Sequence, residues 1–526
     1  MNDDVLIVGG GHNALVCACY LARKGKKVRV LERRPVPGGA VCTEEHIPGF
    51  RFDIGSSLHI MIKATPIPEE LELEKFGLEY IEADPWAFFP TADGGPGILF
   101  YRDIERTCDS IARLSQHDAD AYRKFAAHWG ELNEGVFEVF QKAPTAGGIL
   151  GTMLKRNLFQ RSSRRLWSSA DTTRQLLMPY GRLIRDTFEH PQVRAALAWL
   201  AAQSGPAPTE TATGDLLGWN AFIHRIGAWR AKGGSGSLAM ALVRCLEHHG
   251  GVVETSAEVT RIAREGESGP FLVETAAKGE FRAPRVVAGC HVQTTFLDLL
   301  DPALLPEGLR PRVERIHTGN GFGMIVRHAV EELPAYPGAE INPATGIGEC
   351  HHGMQLLCPT EEALESAWHD YLRGEPPSVP AVLAMSFSSI DPTLAPKGKH
   401  VLFGWAQYHP YELAANQGSW DDIAEREADK IWEVICQHAP NMRGKMIGRL
   451  IQTPLDIERL LALRRGNVMH VEMSLDQMFG FRPLPELSAY RTPIPGLFLT
   501  GASTHPGGGV FGASGRSAAK AVLKHG

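Results

Sequence analysis

An apolar run, Val5-Leu6-Ile7-Val8, breaks directly into Gly9-Gly10-Gly11-His12-Asn13-Ala14, and this junction constrains the fold more than any other stretch of the chain. Four aliphatic residues bounded by glycine suit a strand buried on both faces of a parallel sheet. The pattern G-x-G-x-x-G/A that follows, with Ala14 in its last position, is what a strand-to-helix turn needs when backbone must approach a pyrophosphate. The glycines allow a tight turn and leave no side chain in the way, and the helix start offers unpaired N–H groups to negative charge. Apolar periodicity predicts a helix from His12 to Lys24, stopped by Gly25, and a second strand over 27–31. Residues 4–32 then form one βαβ unit of about thirty residues.

Glu32 ends that unit, where a carboxylate can accept both ribose hydroxyls of an adenosine. The adjacent Arg33 and Arg34 raise the alternative of a 2′-phosphate, but Glu32 would repel it, so the expected dinucleotide is FAD. Arg34 is a candidate for holding the diphosphate, against the plainer reading of a solvated basic pair. Pro37-Gly38-Gly39-Ala40 supplies a second glycine turn that can lie against the cofactor. The first-segment candidates are therefore Gly9, Gly11, His12, Asn13, Ala14, Glu32, Arg33, Arg34, Gly38, Gly39 and Ala40.

At 526 residues the chain exceeds the size at which one core stops growing, and two interleaved domains are expected. A net charge of −6 without long blocks of like charge argues against nucleic acid as a partner. The nine cysteines show no C-x-x-C pair and no zinc spacing, which fits reduced thiols in a cytoplasmic protein with no structural disulfide and no metal. Met1-Asn2-Asp3-Asp4 lacks the features of a secretory signal, and no run of eighteen apolar residues occurs, so a soluble or peripheral protein is expected.

Residues 103–231 read as mainly helical, an insertion into the nucleotide-binding sheet. Gly233-Gly234-Ser235-Gly236 then precedes a helix over 237–249, and strand signals at 252–254, 259–262, 271–275 and 285–288 resume the sheet. Residues 300–475 mix strands (381–387, 401–405) with helices (421–436).

Asp4 to Gly39, Gly233 to Leu238 and the run from Gly496 to Gly509, with Thr504-His505-Pro506-Gly507-Gly508-Gly509, together resemble the phytoene desaturase superfamily of FAD-dependent oxidoreductases. Pro68 to Tyr80, Glu105 to Cys108, Met473 to Met478 and Arg482-Pro483-Leu484-Pro485-Glu486 resemble its flavin-type β-carotene ketolases most, so the similarity spans the chain. The resemblance implies an α/β fold: a Rossmann-like FAD-binding domain assembled from N-terminal (1–95), central (233–300) and C-terminal (476–526) segments. An α+β substrate domain, helical over 96–232 and mixed over 301–475, is inserted between them. It further implies that Val259 meets the adenosine through its backbone, and that Gly501, Ala502, Gly508, Gly509, Val510 and Gly512 line the ribityl chain and flavin ring. A final helix from about Ala513 would point its N-terminus at the flavin, where its dipole stabilises the anionic reduced ring. Ala502 and Ala40 depart from the acidic residue and the arginine that many relatives carry there.

His505, in the loop expected to face the flavin, and His59 are the catalytic candidates, each weighed against a structural histidine satisfied by hydrogen bonds. Bulk at Gly508 is expected to clash with the cofactor and not with the core. Trp219, Phe222, Trp229, Trp405 and Tyr408 are candidates for an apolar pocket, and the basic, aromatic stretch 155–167 for contact with an anionic membrane. The expected activity is oxidation of a hydrophobic, polyene or carotenoid-like substrate by desaturation or ketolation. A flavin oxidase or dehydrogenase of a smaller amine or alcohol is the alternative, and a flavin-less binding protein like the GDP dissociation inhibitors a third. Cys17 and Cys19, two apart on a helix, face different ways and do not make the redox pair of a disulfide reductase.

Overall fold

Val5–Val8 is a strand buried along its whole length, and it forms the middle of a five-stranded, all-parallel sheet. The computed structural model describes residues 3–91, 93–145, 147, 151, 169–266 and 269–525. On one side of Val5–Val8 lie Val28–Leu31 and then Val252–Glu254, and on the other Val286–Ala288 and then Leu497–Leu499. The Rossmann-like sheet thus draws strands from the N-terminal, central and C-terminal parts of the chain, as expected.

Helix His12–Ala22 fills one face of this sheet, packed between the helices Gly236–His248 and Ala513–His525 around Val16, Leu21, Leu242 and Val522. Gly515 lets the last of these approach closely, since a Cβ there would stand 2.0 Å from the Asn13 carbonyl oxygen. The opposite face is covered by an antiparallel meander, Val259–Arg264, Phe271–Thr275 and Gly279–Ala283, packed on Leu6, Leu31 and Val286. Each such fully buried aliphatic side chain contributes roughly 1.5–3 kcal/mol by leaving water.

The second layer is a seven-stranded mixed sheet ordered Met446–Gln452, Gly323–Val330, His400–Gln407, Val382–Met385, Met354–Leu357, Ala87–Phe89 and Ile98–Phe100. Its residues alternate between two cores as a pleat requires. Leu383 and Met385 face helices that include Pro191–Ala202, while Val382 and Ala384 face the helix Trp420–His438. Two strands of this sheet flank residue 95, so the sheet straddles the expected first boundary. The strand expected over 381–387 is Val382–Met385, because Phe387–Ser389 turns into a 3₁₀ helix.

The helices Ile104–Ala112, Gln116–Phe140, Ser169–Leu177, Tyr180–Thr187, Pro191–Ala202 and Gly214–Ile226 make up the helical insertion. The basic stretch 155–167 lies outside the described residues. Among the described residues no helix is long and apolar enough to cross a membrane.

Candidate functional site

The glycine-rich turn builds an open cradle at the end of the central strand. Gly9 adopts φ +90°, which favours glycine, and Gly11 caps the first helix at φ −65°, ψ 158° with no side chain bonded to the helix end. The first N–H groups of that helix therefore lack side-chain partners. A Cβ built on Gly11 would meet nothing within 4 Å, so the space beside it is free. Gly38 and Gly39 border it: the Gly38 N–H donates to the Gly10 carbonyl at 2.8 Å, and a Cβ on Gly39 would lie 3.2 Å from the Gly11 Cα. Asn13 keeps a buried side-chain oxygen without a partner, and Ala40 packs on Gly55.

Glu32 stands where the sequence places it. Its carboxylate is buried and accepts the Gly10 N–H at 2.7 Å and the Arg34 N–H at 2.8 Å, which aims it at the mouth of the turn. The two arginines serve the protein: Arg33 donates to the carbonyls of Arg459 and Leu460 at 2.9 and 2.7 Å, and the Arg34 guanidinium pairs with Glu44 and the Cys42 sulfur. Val259 opens the first strand of the meander and packs in the core beneath Leu31.

From the far side the cradle is closed by the C-terminal loop. After the strand Leu497–Leu499, the Gly501 N–H donates to the Ser514 hydroxyl at 3.0 Å, and that hydroxyl also meets Thr500 and Thr504 at 3.1 and 2.7 Å. This hydroxyl cluster ties the loop to the start of the helix Ala513–His525. Gly509 is exposed at φ +103°, and a methyl placed on it would meet nothing within 4 Å. The Gly509 main chain acts on the His12 ring, which sets this loop beside the start of the first helix. Val510 accepts the Ile62 N–H, and Gly512 at φ +79° packs on Ile67. A Cβ on Gly508 would strike Met469, at 2.3 Å from its sulfur and 2.9 Å from its Cα, so bulk at 508 collides with protein. A helix end without a cap, two glycines that hold a space open and a carboxylate at the ribose position together fit FAD.

The two candidate histidines have different surroundings. His59 uses both ring nitrogens, with the Tyr80 hydroxyl at 3.0 Å and the Ser235 hydroxyl at 2.8 Å, and burial pushes its pKa down to about 3. It belongs to a network in which Asp53 accepts the Ser235 N–H at 2.8 Å and pairs with the buried Arg230 at 2.7 Å. Asp391 takes the Gly233 N–H, so carboxylates occupy the second glycine cluster and disfavour a phosphate there. His505 is wholly buried, its Nε2 lies 3.3 Å from the Val139 carbonyl, and its Nδ1 has no partner. Burial lowers its pKa to about 4, so it is neutral at pH 7 with a free Nδ1 lone pair.

Phe140 and Phe479 hold the His505 ring, with centroids 5.6 and 6.0 Å away. Phe137 and Phe140 also meet Trp219, Phe222 and Phe511. The five aromatics expected in one pocket are therefore divided: Trp219 and Phe222 join this enclosure, Trp405 lies in the seven-stranded sheet, Tyr408 follows that strand and packs on Trp368 and Tyr371, and Trp229 donates to Ile226. A cleft of about 920 Å³, lined by Trp368, Tyr371, Leu372, Arg465, Glu472 and Met473 among others, was not anticipated. Its inner wall reaches the loop, since a Cβ on Gly507 would lie 3.1 Å from the Met473 sulfur. Arg482, which the sequence marks only as part of a family-like stretch, is buried behind the same loop. His117, Asp118 and Glu189 bring three ligand-type atoms within 4.8 Å of one another, but the Asp118 oxygens already accept the N–H groups of Glu189 and His190.

Residues 15–328 match the flavin containing amine oxidoreductase family. The chain is 32% identical to pyridine nucleotide-disulfide oxidoreductase domain-containing protein 2 of Rattus norvegicus, over 99% of this chain and 93% of the rat protein. It is 28% identical to a limonene dehydrogenase polypeptide of Castellaniella defragrans, over 99% and 94%. With the carotenoid 3,4-desaturase of Haloarcula japonica it shares 27% identity over 97% and 95%. An oxidoreductase from Methanosarcina mazei has the same fold, with a TM-score of 0.63 at 15% identity over 99% of this chain and 100% of that one.

Proposed function

The chain belongs to the flavin containing amine oxidoreductases and is an FAD-dependent oxidoreductase, and from that premise we propose that it oxidises a hydrophobic, polyene or carotenoid-like substrate by desaturation or ketolation. The observation that carries this reading is the aromatic cluster at the C-terminal loop, where Phe140 and Phe479 flank an uncharged His505 and Phe137, Trp219, Phe222 and Phe511 pack onward from Phe140. Such a lining favours an apolar molecule, because an ammonium group would lose its hydration there without a carboxylate to replace it. The limonene dehydrogenase polypeptide and the carotenoid 3,4-desaturase, both similar along nearly the whole chain, support the same class.

In this reading Glu32 holds the ribose and the N–H groups after Gly11 hold the diphosphate. Bound FAD supplies the two-electron acceptor. His505 Nδ1 takes the proton that leaves the substrate carbon beside the one losing hydride, and the Val139 carbonyl fixes its tautomer by accepting from Nε2. Phe140 and Phe479 exclude water from that nitrogen. Disulfide reduction is disfavoured: all nine cysteines are unpaired, and all but Cys290 are buried. Anaerobic mixing of the oxidised protein with apolar polyenes and, separately, with primary amines tests the proposal. Bleaching of the flavin band by polyenes alone is expected, and bleaching by amines alone overturns it.

A further inference from the structure

Arg482 is the most completely enclosed cation beside the C-terminal loop, with no side-chain surface exposed to water. Its guanidinium makes no carboxylate ion pair among the described residues and is met by main-chain oxygens. Nη2 donates to Met469 at 2.6 Å, to Ala502 at 2.8 Å and to Val471 at 3.1 Å, Nε to Ala502 at 3.2 Å, and Nη1 to Glu472 and Gln477 at 3.3 Å each. The same group lies flat against Gly507, whose Cβ would stand 3.4 Å from both its Cζ and its Nε. The arginine is therefore wedged between the residue after Gly501 and the middle of the 504–512 loop. The histidines nearby, His291, His470 and His505, are all driven toward the neutral form by burial, so they add no charge of their own. The carboxylate of Glu472 acts on the guanidinium from beyond ion-pair distance, while only its main chain is bonded.

A buried charge without a partner is costly and is poorly explained as a mere fastener, since a neutral donor could take carbonyl bonds with less desolvation. We propose that Arg482 is a positioning residue that sets the reduction potential of the FAD, its buried positive charge behind the Ala502–Gly507 loop favouring the reduced, more negative flavin. This rests on the reading that the loop lines the flavin ring. At an effective dielectric constant of about 20, two unit charges about 10 Å apart change a charge-coupled equilibrium on the order of tenfold.

The test is the two-electron midpoint potential of the FAD-loaded protein at pH 8, read against a reference dye, for the parent, R482Q and E472Q. R482Q removes the charge and should shift the equilibrium about tenfold toward oxidised flavin, or ~30 mV lower for a two-electron couple. E472Q keeps the shape of a cleft-lining side chain while removing the opposing charge, and should shift the potential upward. R482Q with FAD retained and an unmoved potential overturns the proposal and leaves Arg482 a loop fastener. If R482Q does not fold, E472Q decides, and the absence of an upward shift overturns it. A parent protein that takes up no FAD would refute instead the placement of the cofactor on which the inference rests.

Discussion

Gly11→Ala separates the cradle's role in binding from any role in folding. At Gly11 the backbone sits at φ −65°, ψ 158°, which alanine adopts without strain, and the added methyl meets nothing within 4 Å. With less chain freedom to lose on folding, the cofactor-free variant should be unchanged or stabilised by about 0.4–1 kcal/mol. FAD should suffer, because the methyl fills the space through which a diphosphate reaches the helix N–H groups. Charge-assisted bonds of this kind are worth roughly 1.5–3 kcal/mol each, so losing two costs ~3–6 kcal/mol. That corresponds to an affinity weaker by on the order of 10²–10⁴. Gly515→Ala is the control of opposite sense: its methyl would stand 2.0 Å from the Asn13 carbonyl oxygen and must push two helices apart, destabilising the fold by about 1–3 kcal/mol or more. Thermal melts of the cofactor-free proteins and FAD titrations followed by fluorescence give both quantities. A Gly11→Ala protein that binds FAD within twofold of the parent, or that melts well below it, rules out an open diphosphate cradle at this position.

Glu32→Arg should weaken FAD binding at least tenfold in a titration, because it replaces the acceptor of ribose hydroxyls with a donor and frees the Gly10 N–H. His505→Ala should lose about 10²-fold or more in turnover while keeping its FAD, whereas unchanged turnover and flavin content would move the proton step elsewhere. Burial holds His59 near about 3 and His505 near about 4, below the ordinary 6.5, so the unfolded chain takes up protons first as the pH falls. Stability should be full above pH 6.5 and decline toward about pH 3, and His59→Gln should flatten that decline in pH-dependent melts. Asp53→Asn, which leaves the buried Arg230 uncompensated, should cost about 3–5 kcal/mol in chemical denaturation. NADPH alone should not bleach the flavin under anaerobic conditions, since the second glycine cluster is occupied by Asp53 and Asp391.

The parts of this protein that are legible in its sequence are those fixed by short-range stereochemistry. A buried strand, three glycines, a helix and a terminal Glu32 each demand their neighbours within about thirty residues, and the structure assembles them as that spacing requires. What sequence spacing does not carry is the partner a side chain finds across the fold. Arg33 and Arg34 look like anion grips beside a glycine turn, yet carbonyls from residues 459 and 460 and the carboxylate of Glu44 engage them. His59 reads like His505, but Ser235, 176 positions away, closes its last free nitrogen. Gly508 is tight against Met469, a contact between distant loops, so the pattern of glycines marked a crowded place without naming the neighbour. The aromatic enclosure follows helical spacing on both sides, Phe137 and Phe140 on one helix and Trp219 and Phe222 on another, but only the packing of those helices shows that the stripes face each other. Arg482 stands out in the sequence only as part of a family-like stretch, because its partners are carbonyls from two other segments.

Everything proposed for this enzyme depends on an adenine dinucleotide occupying the open turn at Gly11. Mass spectrometry of the small molecules released on denaturing the purified yellow protein reads that occupant directly. One FAD per chain is expected, with release falling together with the yellow colour in Glu32→Arg. FMN in its place, or a colourless protein that takes up no FAD from excess, would overturn the assignment.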